Sequence, residues 1–414
     1  MSVTATEPNS SLVPNLALDS AASAIASARR ATVSARYAAN SLTVEWRSLG
    51  ELLSIEDEWR DLAARALEPN VFYEPAFALE AAAVFGASAG AVLVWSGTAP
   101  RKLLGFFPAR IEPRRYGVGL PVLVGWTHPY APLGTPLVER EAAEPVIAAW
   151  LAHIADNEAL PGVVLLPYVR PVSPFGVELH TILQRGRIPV ADLNIHERAM
   201  MAPRGDRLQY VERTLGQRRH KEMRRLVRRL GDAGALLFTT ATEPETVAAA
   251  VEDFFELEVR GWKGQAGTAA LYHDDIRRFM KNAVTGLAAQ GNAAINRIFI
   301  DGRAIAAAIT LRSGDTAWFW KIAYDEAFAS YSPGVVLTLA VTEDMVEDET
   351  LHRTDSCATA NHPMINHIWR ERLELADRLI GVRSRATFAS VRGMERLRGL
   401  SISAAKSARE WFRR

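Results

Sequence analysis

Four charged side chains stand where a solvated charge is not expected, and one helix start suits either a plain turn or a ligand site. Lys321 interrupts the apolar run Trp318-Phe319-Trp320-Lys321-Ile322-Ala323-Tyr324. A lysine in such a strand needs a carboxylate or a ligand anion beside it. Strict alternation puts Trp318, Trp320 and Ile322 on one face and Phe319, Lys321 and Ala323 on the other. Glu258 and Lys263 lie in Glu258-Val259-Arg260-Gly261-Trp262-Lys263-Gly264. There Trp262 and two glycines suit either a helix stop or a ligand-facing loop. Asp355 heads Asp355-Ser356-Cys357 at the end of an expected strand, where it could take a proton from an amine or hydroxyl nucleophile. Ser332-Pro333-Gly334-Val335 leads from an aromatic-ended strand into an apolar helix. Gly334 lets the backbone approach a ligand, and unpaired N–H groups at a helix start attract phosphate oxygens.

Other chemistries are poorly served. Cys357 is the one cysteine, so an internal disulfide and a thiolate metal cluster are excluded. Cys357 with His362 is a conceivable nucleophilic pair, but buried structural cysteine is the commoner case. Asp355, His362 and His367 do not match zinc spacing, and no metal is expected.

The elements that must position these residues form a pattern that runs twice. In the first half, strands are expected at 43–49, 91–96, 102–111, 121–126, 163–168 and 188–195. Helices are expected at 55–67, 75–85, 141–154 and 177–184. In the second half, strands fall at 235–240, 293–300, 304–311, 316–322 and 354–357. Helices fall at 245–259, 273–289 and 335–346, with another beginning at 364–371. Asp301-Gly302 between apolar runs signals a hairpin, and Gly97–Pro100 occupies the matching place in the first half. Trp126-Thr127-His128-Pro129-Tyr130 and Pro132-Leu133-Gly134 match Lys321-Ile322-Ala323-Tyr324-Asp325 and Ser332-Pro333-Gly334. Two related mixed α/β domains, each with its own sheet, are the expectation.

Length and charge frame this organisation. The 414 residues are 49% hydrophobic and 23% charged with a net charge of +1, typical of a globular chain with no global pull toward DNA or membrane. The longest uninterrupted apolar run, at 146–152, is far short of the roughly 20 residues a membrane span needs. Residues 1–41 read as a disordered Ala/Ser-rich leader. Residues 42–203 form the first domain, 204–232 a basic connecting helix, 233–381 the second domain with the donor site, and 382–414 a basic tail. The connecting helix has Leu208, Val211, Leu215, Met223, Leu226, Val227 and Leu230 as an apolar stripe. Its basic face is solvated or meets an anionic substrate. The tail packs on the domain or makes weak peripheral contact with an acidic partner or an anionic membrane surface.

Trp262-Lys263-Gly264, the Asp301-Gly302 hairpin, Lys321-Ile322-Ala323-Tyr324-Asp325, Tyr331-Ser332-Pro333-Gly334 and Asp355-Ser356-Cys357-Ala358 resemble CelD/BcsL-type members of the Gcn5-related N-acetyltransferase (GNAT) superfamily. Tandem GNAT-like domains of this kind are similar to the Fem peptidyltransferases. The resemblance spans 43–380 as pattern and is most specific from Phe254 to Trp369. It implies two acyl-CoA N-acyltransferase-like domains in which a parallel strand pair splays apart at the donor site. Acyl-CoA, usually acetyl-CoA, is the implied co-substrate, with its phosphates at Ser332, Pro333, Gly334 and Val335. The usual Arg/Gln-x-x-Gly-x-Gly/Ala loop is abbreviated here to Gly334. The implied reaction is direct acyl transfer to an amine or hydroxyl of a sugar or small metabolite, in the cytoplasm and in exopolysaccharide or cellulose production. Asp355 or Glu258 would accept the proton and Tyr331 would protonate the leaving thiolate. Trp262, Lys263, Lys321 and Tyr324 would bind substrate. Two rivals remain: a Fem-like transferase using aminoacyl-tRNA bound by the basic stretch 207–229, and a catalytically inactive accessory protein of polysaccharide production.

Overall fold

The computed structural model describes residues 42–97, 99–203 and 207–412, and the leader 1–41 lies outside the described residues. β1 (Thr43–Ser48) leads through a 3-10 turn to α1 (Glu56–Arg65) and α2 (Pro75–Phe85). The antiparallel strands β2 (Ala89–Trp95), β3 (Leu103–Glu112) and β4 (Val122–Gly125) follow. Next come the two-residue β5 (Leu137–Val138), α3 (Ala143–Asp156), β6 (Val163–Val169), α4 (Pro174–Arg185) and β7 (Val190–Met201). α5 (Arg207–Asp232), broken at Gly216, connects the halves. The second half runs β8 (Leu236–Ala241), α6 (Pro244–Arg260), the one-turn α7 (Trp262–Gln265), α8 (Asp274–Ala288), β9 (Ala293–Ile300), β10 (Arg303–Ser313) and β11 (Thr316–Tyr324). It closes with α9 (Pro333–Glu347), β12 (Arg353–Asp355), the one-turn α10 (Ile365–Ile368), β13 (Glu371–Gly381) and α11 (Arg385–Phe412).

Local chemistry sets the boundaries. Proline opens α2, α6 and α9 at the first turn, where its missing N–H costs no helical bond. Asp301 and Gly302 both have positive φ, 49° and 75°, the two-residue hairpin geometry that matches the twist of β9 and β10.

The expectation of one sheet per half is not met. The strands form a single sheet in the order β1-β2-β3-β4-β6-β13-β7-β12-β11-β10-β9-β8, with β5 paired to β3. β13, from the end of the chain, inserts beside β6, and β7, from the first half, inserts beside β12. β13 and β7 pair antiparallel with each other at the centre. The pairing senses read the same from either edge: three antiparallel steps, one parallel step (β4/β6 and β11/β12), then antiparallel pairs to the middle. The two halves are thus tandem GNAT-like units that exchange their last strands. The β2–β3 and β9–β10 hairpins hold equivalent places.

β13 also corrects the helix expected to begin at 364–371. That stretch makes only the single turn α10. From 371 onward Leu373 and Leu375 alternate with charged residues, which is strand periodicity. The basic tail is ordered as α11, whose Phe388 and Val391 pack on β4 and β6 while buried Glu395 pairs with Arg115.

One face of the sheet carries a core shared by α1, α2, α6 and α8 of both halves. On the opposite face α9 and α5 cover the second half, and α3 and α4 cover the first.

Candidate active site

β11 and β12 pair in parallel only over 316–318 with 353–355. β11 continues, held by β10 as far as Tyr324, whereas the chain after β12 is drawn the other way. Ser356 N–H donates to the Ala199 carbonyl of β7 at 3.2 Å. Cys357, at φ 52°, donates its N–H to Asp355 Oδ1 at 3.0 Å. A wedge therefore opens between 319–324 and the chain from 356 onward.

The corresponding wedge of the first half, between β4 and β6, is filled by its own chain. Gly134 N–H donates to the Tyr168 carbonyl at 3.2 Å. Asn70 Nδ2 holds the carbonyls of Leu133 and Thr135 at 3.3 and 2.9 Å. A Cβ on Gly134 would overlap the Pro167 carbonyl, so this close approach requires glycine. The matching Ser332-Pro333-Gly334 instead starts α9.

A bulge decides which side chains face the wedge. Ile309 pairs with Lys321 but Thr310 pairs with Phe319, so Trp320 is an extra residue on β11. The strict alternation expected from sequence fails there. Trp318, Trp320 and Ala323 belong to the core shared by both halves, and Phe319 and Ile322 face α9. Lys321 is brought to the shared side, with Nζ 4.4 Å from the Tyr130 ring and 5.6 Å from that of Trp320. Burial, reinforced by Lys263, pushes its pKa down to about 8, while Glu258 and Cys357 pull the other way.

Glu258 and Lys263 form an ion pair at the end of α6, and Glu258 Oε2 also accepts the Ala270 N–H at 3.0 Å. The first half contributes the roof of this site. Tyr130 accepts the Trp320 indole N–H on its carbonyl at 2.8 Å. Its phenol is pushed up to about 12 by burial, with Glu258 and Asp275 adding to the shift. His128 stacks on Phe85 at 4.3 Å, and neither of its buried ring nitrogens has a hydrogen-bond partner. Burial, then Lys321 and Arg110, lower its pKa to about 3.

Asp355 is buried and ion-paired with buried Arg198 of β7. Both its oxygens are engaged, and the pair ties the exchanged strand to β12. Cys357 touches the same group, with its thiol pushed well up by burial and by Asp355. His362 Nδ1 accepts the N–H groups of Met364 and Ile365 at 3.3 and 3.4 Å. It is used within its own turn, so no Cys357–His362 nucleophilic pair is assembled.

The other candidates lie across β11. Tyr331 packs with α9 and α5, under the Arg229 guanidinium at 5.2 Å. Ser332 has φ 53°, and its carbonyl accepts the N–H groups of Val335 and Val336 at 3.0 and 3.1 Å. Those donors are engaged, contrary to the expectation of free N–H groups at the helix start. Pro333 has no N–H to offer. Gly334 lies against Tyr324 and Ile322. Trp262 and Tyr324 are exposed, and Gly261 sits beside the Tyr324 carbonyl.

Glu258, Lys263 and Lys321 thus gather in one place, and Asp355 reaches it through Cys357. Tyr331, Ser332, Pro333, Gly334 and Val335 form a second group on the opposite face. His128, Tyr130 and Arg198 are additions that the sequence reading did not assign, and Arg229 entered it only as part of the basic stretch 207–229. The 126–130 motif was visible only as a repeat marker, and nothing in the pattern of β7 singled out Arg198.

This architecture is that of two tandem GNAT-like domains. The acetyltransferase (GNAT) domain family matches residues 217–362, about a third of the chain. The matched stretch holds Glu258, Lys263, Lys321, Gly334 and Asp355, but not Tyr130, His128 or Arg198. No curated protein matches the sequence. Among solved structures, the chain is similar to FemX, with TM-score 0.53, 9% identity, and coverage of 81% of this chain and 98% of that one. It is also similar to the C-terminal domain of a putative lysylphosphatidylglycerol synthetase from Agrobacterium fabrum, with TM-score 0.52, 10% identity and coverage of 82% and 95%. A third is a conserved protein of unknown function from Bacteroides thetaiotaomicron, with TM-score 0.50, 10% identity and coverage of 82% and 99%. Among the described residues no helix is long and apolar enough to cross a membrane, and no cluster of three metal-ligating side chains occurs.

Proposed function

We propose that this chain transfers an acyl group, acetyl in the first instance, from acyl-CoA to an amine or hydroxyl of a sugar or small metabolite in the cytoplasm. Exopolysaccharide or cellulose production is the setting the family resemblance suggests. The observation that carries the reading is Lys321: an amine lowered to about 8, aimed by a bulge at the wedge of the second half, and roofed by Tyr130.

In this reading the acceptor nitrogen or oxygen bonds to the thioester carbon as the carbon–sulfur bond breaks. Lys321, as the free amine, takes the acceptor's proton and returns it to the departing thiolate. A proton carrier with a pKa near the working pH serves both steps. Glu258 and Asp355 each have both carboxylate oxygens engaged by neighbouring donors. Glu258 and Lys263 instead tune Lys321 and orient the acceptor, and Asp355 fixes the wall of the wedge. Tyr331 lies with Arg229 at the start of α9, where the anionic end of the donor would be held together with Ser332, Gly334 and Val335. Trp262 and Tyr324 border the entrance.

Titration with acetyl-CoA, longer acyl-CoAs and free CoA, read by calorimetry, tests the donor. Micromolar binding of one acyl-CoA is expected, and no heat from any of them would overturn the proposal. A Fem-like aminoacyl transfer is favoured by one observation, the engaged N–H groups of Val335 and Val336, which weaken the case for a pyrophosphate there. It requires binding of aminoacyl-tRNA that weakens steeply with salt. Binding of neither donor would leave the inactive accessory role.

A further inference from the structure

The helix α11 has a side that packs and a side that does not. Phe388, Val391 and Glu395 share the packing side, buried over β4 and β6. Glu395 is fixed there by Arg115 and by the Tyr116 hydroxyl, which donates to it at 2.8 Å. At about 100° per residue, Leu397 and Leu400 fall on the opposite side, and they are 62% and 68% exposed. Ile402 returns to the packing side, yet it is 42% exposed, so the helix has outrun its cover by that point. Such closely spaced aliphatic side chains in water differ from the scattered single ones a surface ordinarily carries.

The same stretch is positively charged. Between Arg385 and Ile402 stand Arg385, Arg392, Arg396 and Arg398 against Glu395 alone, and Arg115 already neutralises Glu395. Arg396, one turn before Leu400, flanks the leucine stripe on one side, and Arg398 flanks it on the other. Both arginines are exposed, and among the described residues no carboxylate forms an ion pair with either. Asp377 shares Tyr168 as a neighbour with Arg398, but it accepts the Tyr168 N–H at 3.1 Å and the Asn194 amide at 2.7 Å. Counted against Arg398, it would still leave Arg385, Arg392 and Arg396 unopposed. The sequence that follows keeps this sign, with Lys406, Arg409, Arg413 and Arg414 against Glu410.

We propose that α11, around Leu397 and Leu400, docks in the surface of an anionic lipid bilayer. The leucines enter the boundary between headgroups and acyl chains, and Arg396 and Arg398 reach lipid phosphates on either side. A helix with an apolar stripe rimmed by cations is the form that lies in a membrane interface, and its arginines select anionic over neutral lipid. A polyanion such as RNA would complement the arginines but leave the leucines in water. The docking surface uses no residue of the wedge, so it stands independently of the acyl-transfer reading.

The test is co-sedimentation of the full chain with phosphatidylcholine vesicles, with and without phosphatidylglycerol, at low and high salt. Binding is expected only to the phosphatidylglycerol-containing vesicles and should weaken as salt rises. Leu397→Ser with Leu400→Ser should weaken it about tenfold or more, and Arg396→Gln with Arg398→Gln by a similar factor. Lys102→Gln, removing an exposed charge between β2 and β3, should change nothing. The proposal is overturned if the mixed vesicles are not bound, if neutral vesicles are bound as tightly, or if the leucine pair can be replaced without loss. It is also overturned if, without lipid, the chain self-associates in analytical ultracentrifugation and the leucine variant does not, which would give this face to a second copy. Should the double leucine variant fail to fold, Leu400→Ser alone decides: a loss of about threefold is expected, and unchanged affinity would remove this face from the membrane.

Discussion

Replacing Lys321 with arginine keeps a cation and a long stem but removes the ability to exchange a proton, because guanidinium does not deprotonate in proteins. With its pKa at about 8 against an ordinary 10.5, Lys321 is about one quarter free amine at pH 7.5, compared with about one in a thousand for an ordinary lysine. The wedge therefore makes the base roughly two hundred times more available. Positioned bases contribute about 10²–10⁴-fold, which corresponds to about 3–5 kcal/mol of barrier. Release of CoA from the acyl-CoA that binds, in the presence of a panel of amino sugars and small amines, provides the assay. For the wild type, kcat/KM should climb nearly tenfold per pH unit below pH 8 and level off above it. Lys321→Arg should be about 10²-fold slower or worse at pH 7.5, with donor affinity retained. A variant within about threefold of wild type, or a wild-type profile flat from pH 6.5 to 9, would refute the assignment.

Other consequences follow from the same contacts. Lys321→Met should raise Tm at pH 7, since a cation penalised by burial is removed. The folded pKa lies below the unfolded one, so the wild type itself gains stability as pH rises from about 8 to 10.5, and the variant's advantage should shrink across that window. His128→Phe should flatten acid unfolding. The depressed pKa of His128 makes the wild type lose stability as pH falls from 6.5 toward 3, which urea melts at pH 7, 5 and 4 would register. Asp355→Asn should cost about 3 kcal/mol or more in chemical denaturation, because Arg198 is left buried without its counter-charge. Full stability in that variant would reopen Asp355 as a free base. Gly134→Ala should destabilise by about 2 kcal/mol or more, since its methyl meets the Pro167 carbonyl. Acyl-CoA affinity of the folded fraction should not change.

The local elements were legible because their signals are local. The repeated order of strands and helices, the Asp301-Gly302 hairpin and the prolines that open α2 and α9 all follow from periodicity and turn chemistry over a few residues. β13 was misread because its alternation follows directly on the apolar turn at 365–369. The face of Lys321 was misread because one inserted residue at Trp320 reverses everything after it. No single-strand pattern reveals such an insertion, since the bulge exists only against the register of β10.

The candidate site divides along the same line. Sequence by itself determined the residue types and the tandem order: Glu258 and Lys263 at the end of one helix, a lysine inside an apolar strand, an aspartate where a strand stops, and a glycine at a helix start. Tertiary structure alone decided that β7 and β13 cross between halves, which brings Arg198 to Asp355. It also decided that the 126–130 segment roofs Lys321, and that the first wedge is filled by its own chain while the second splays apart. These outcomes depend on contacts between residues up to about two hundred positions apart. Burial, charge compensation and the pKa of Lys321 arise from those contacts, and no short-range pattern encodes them.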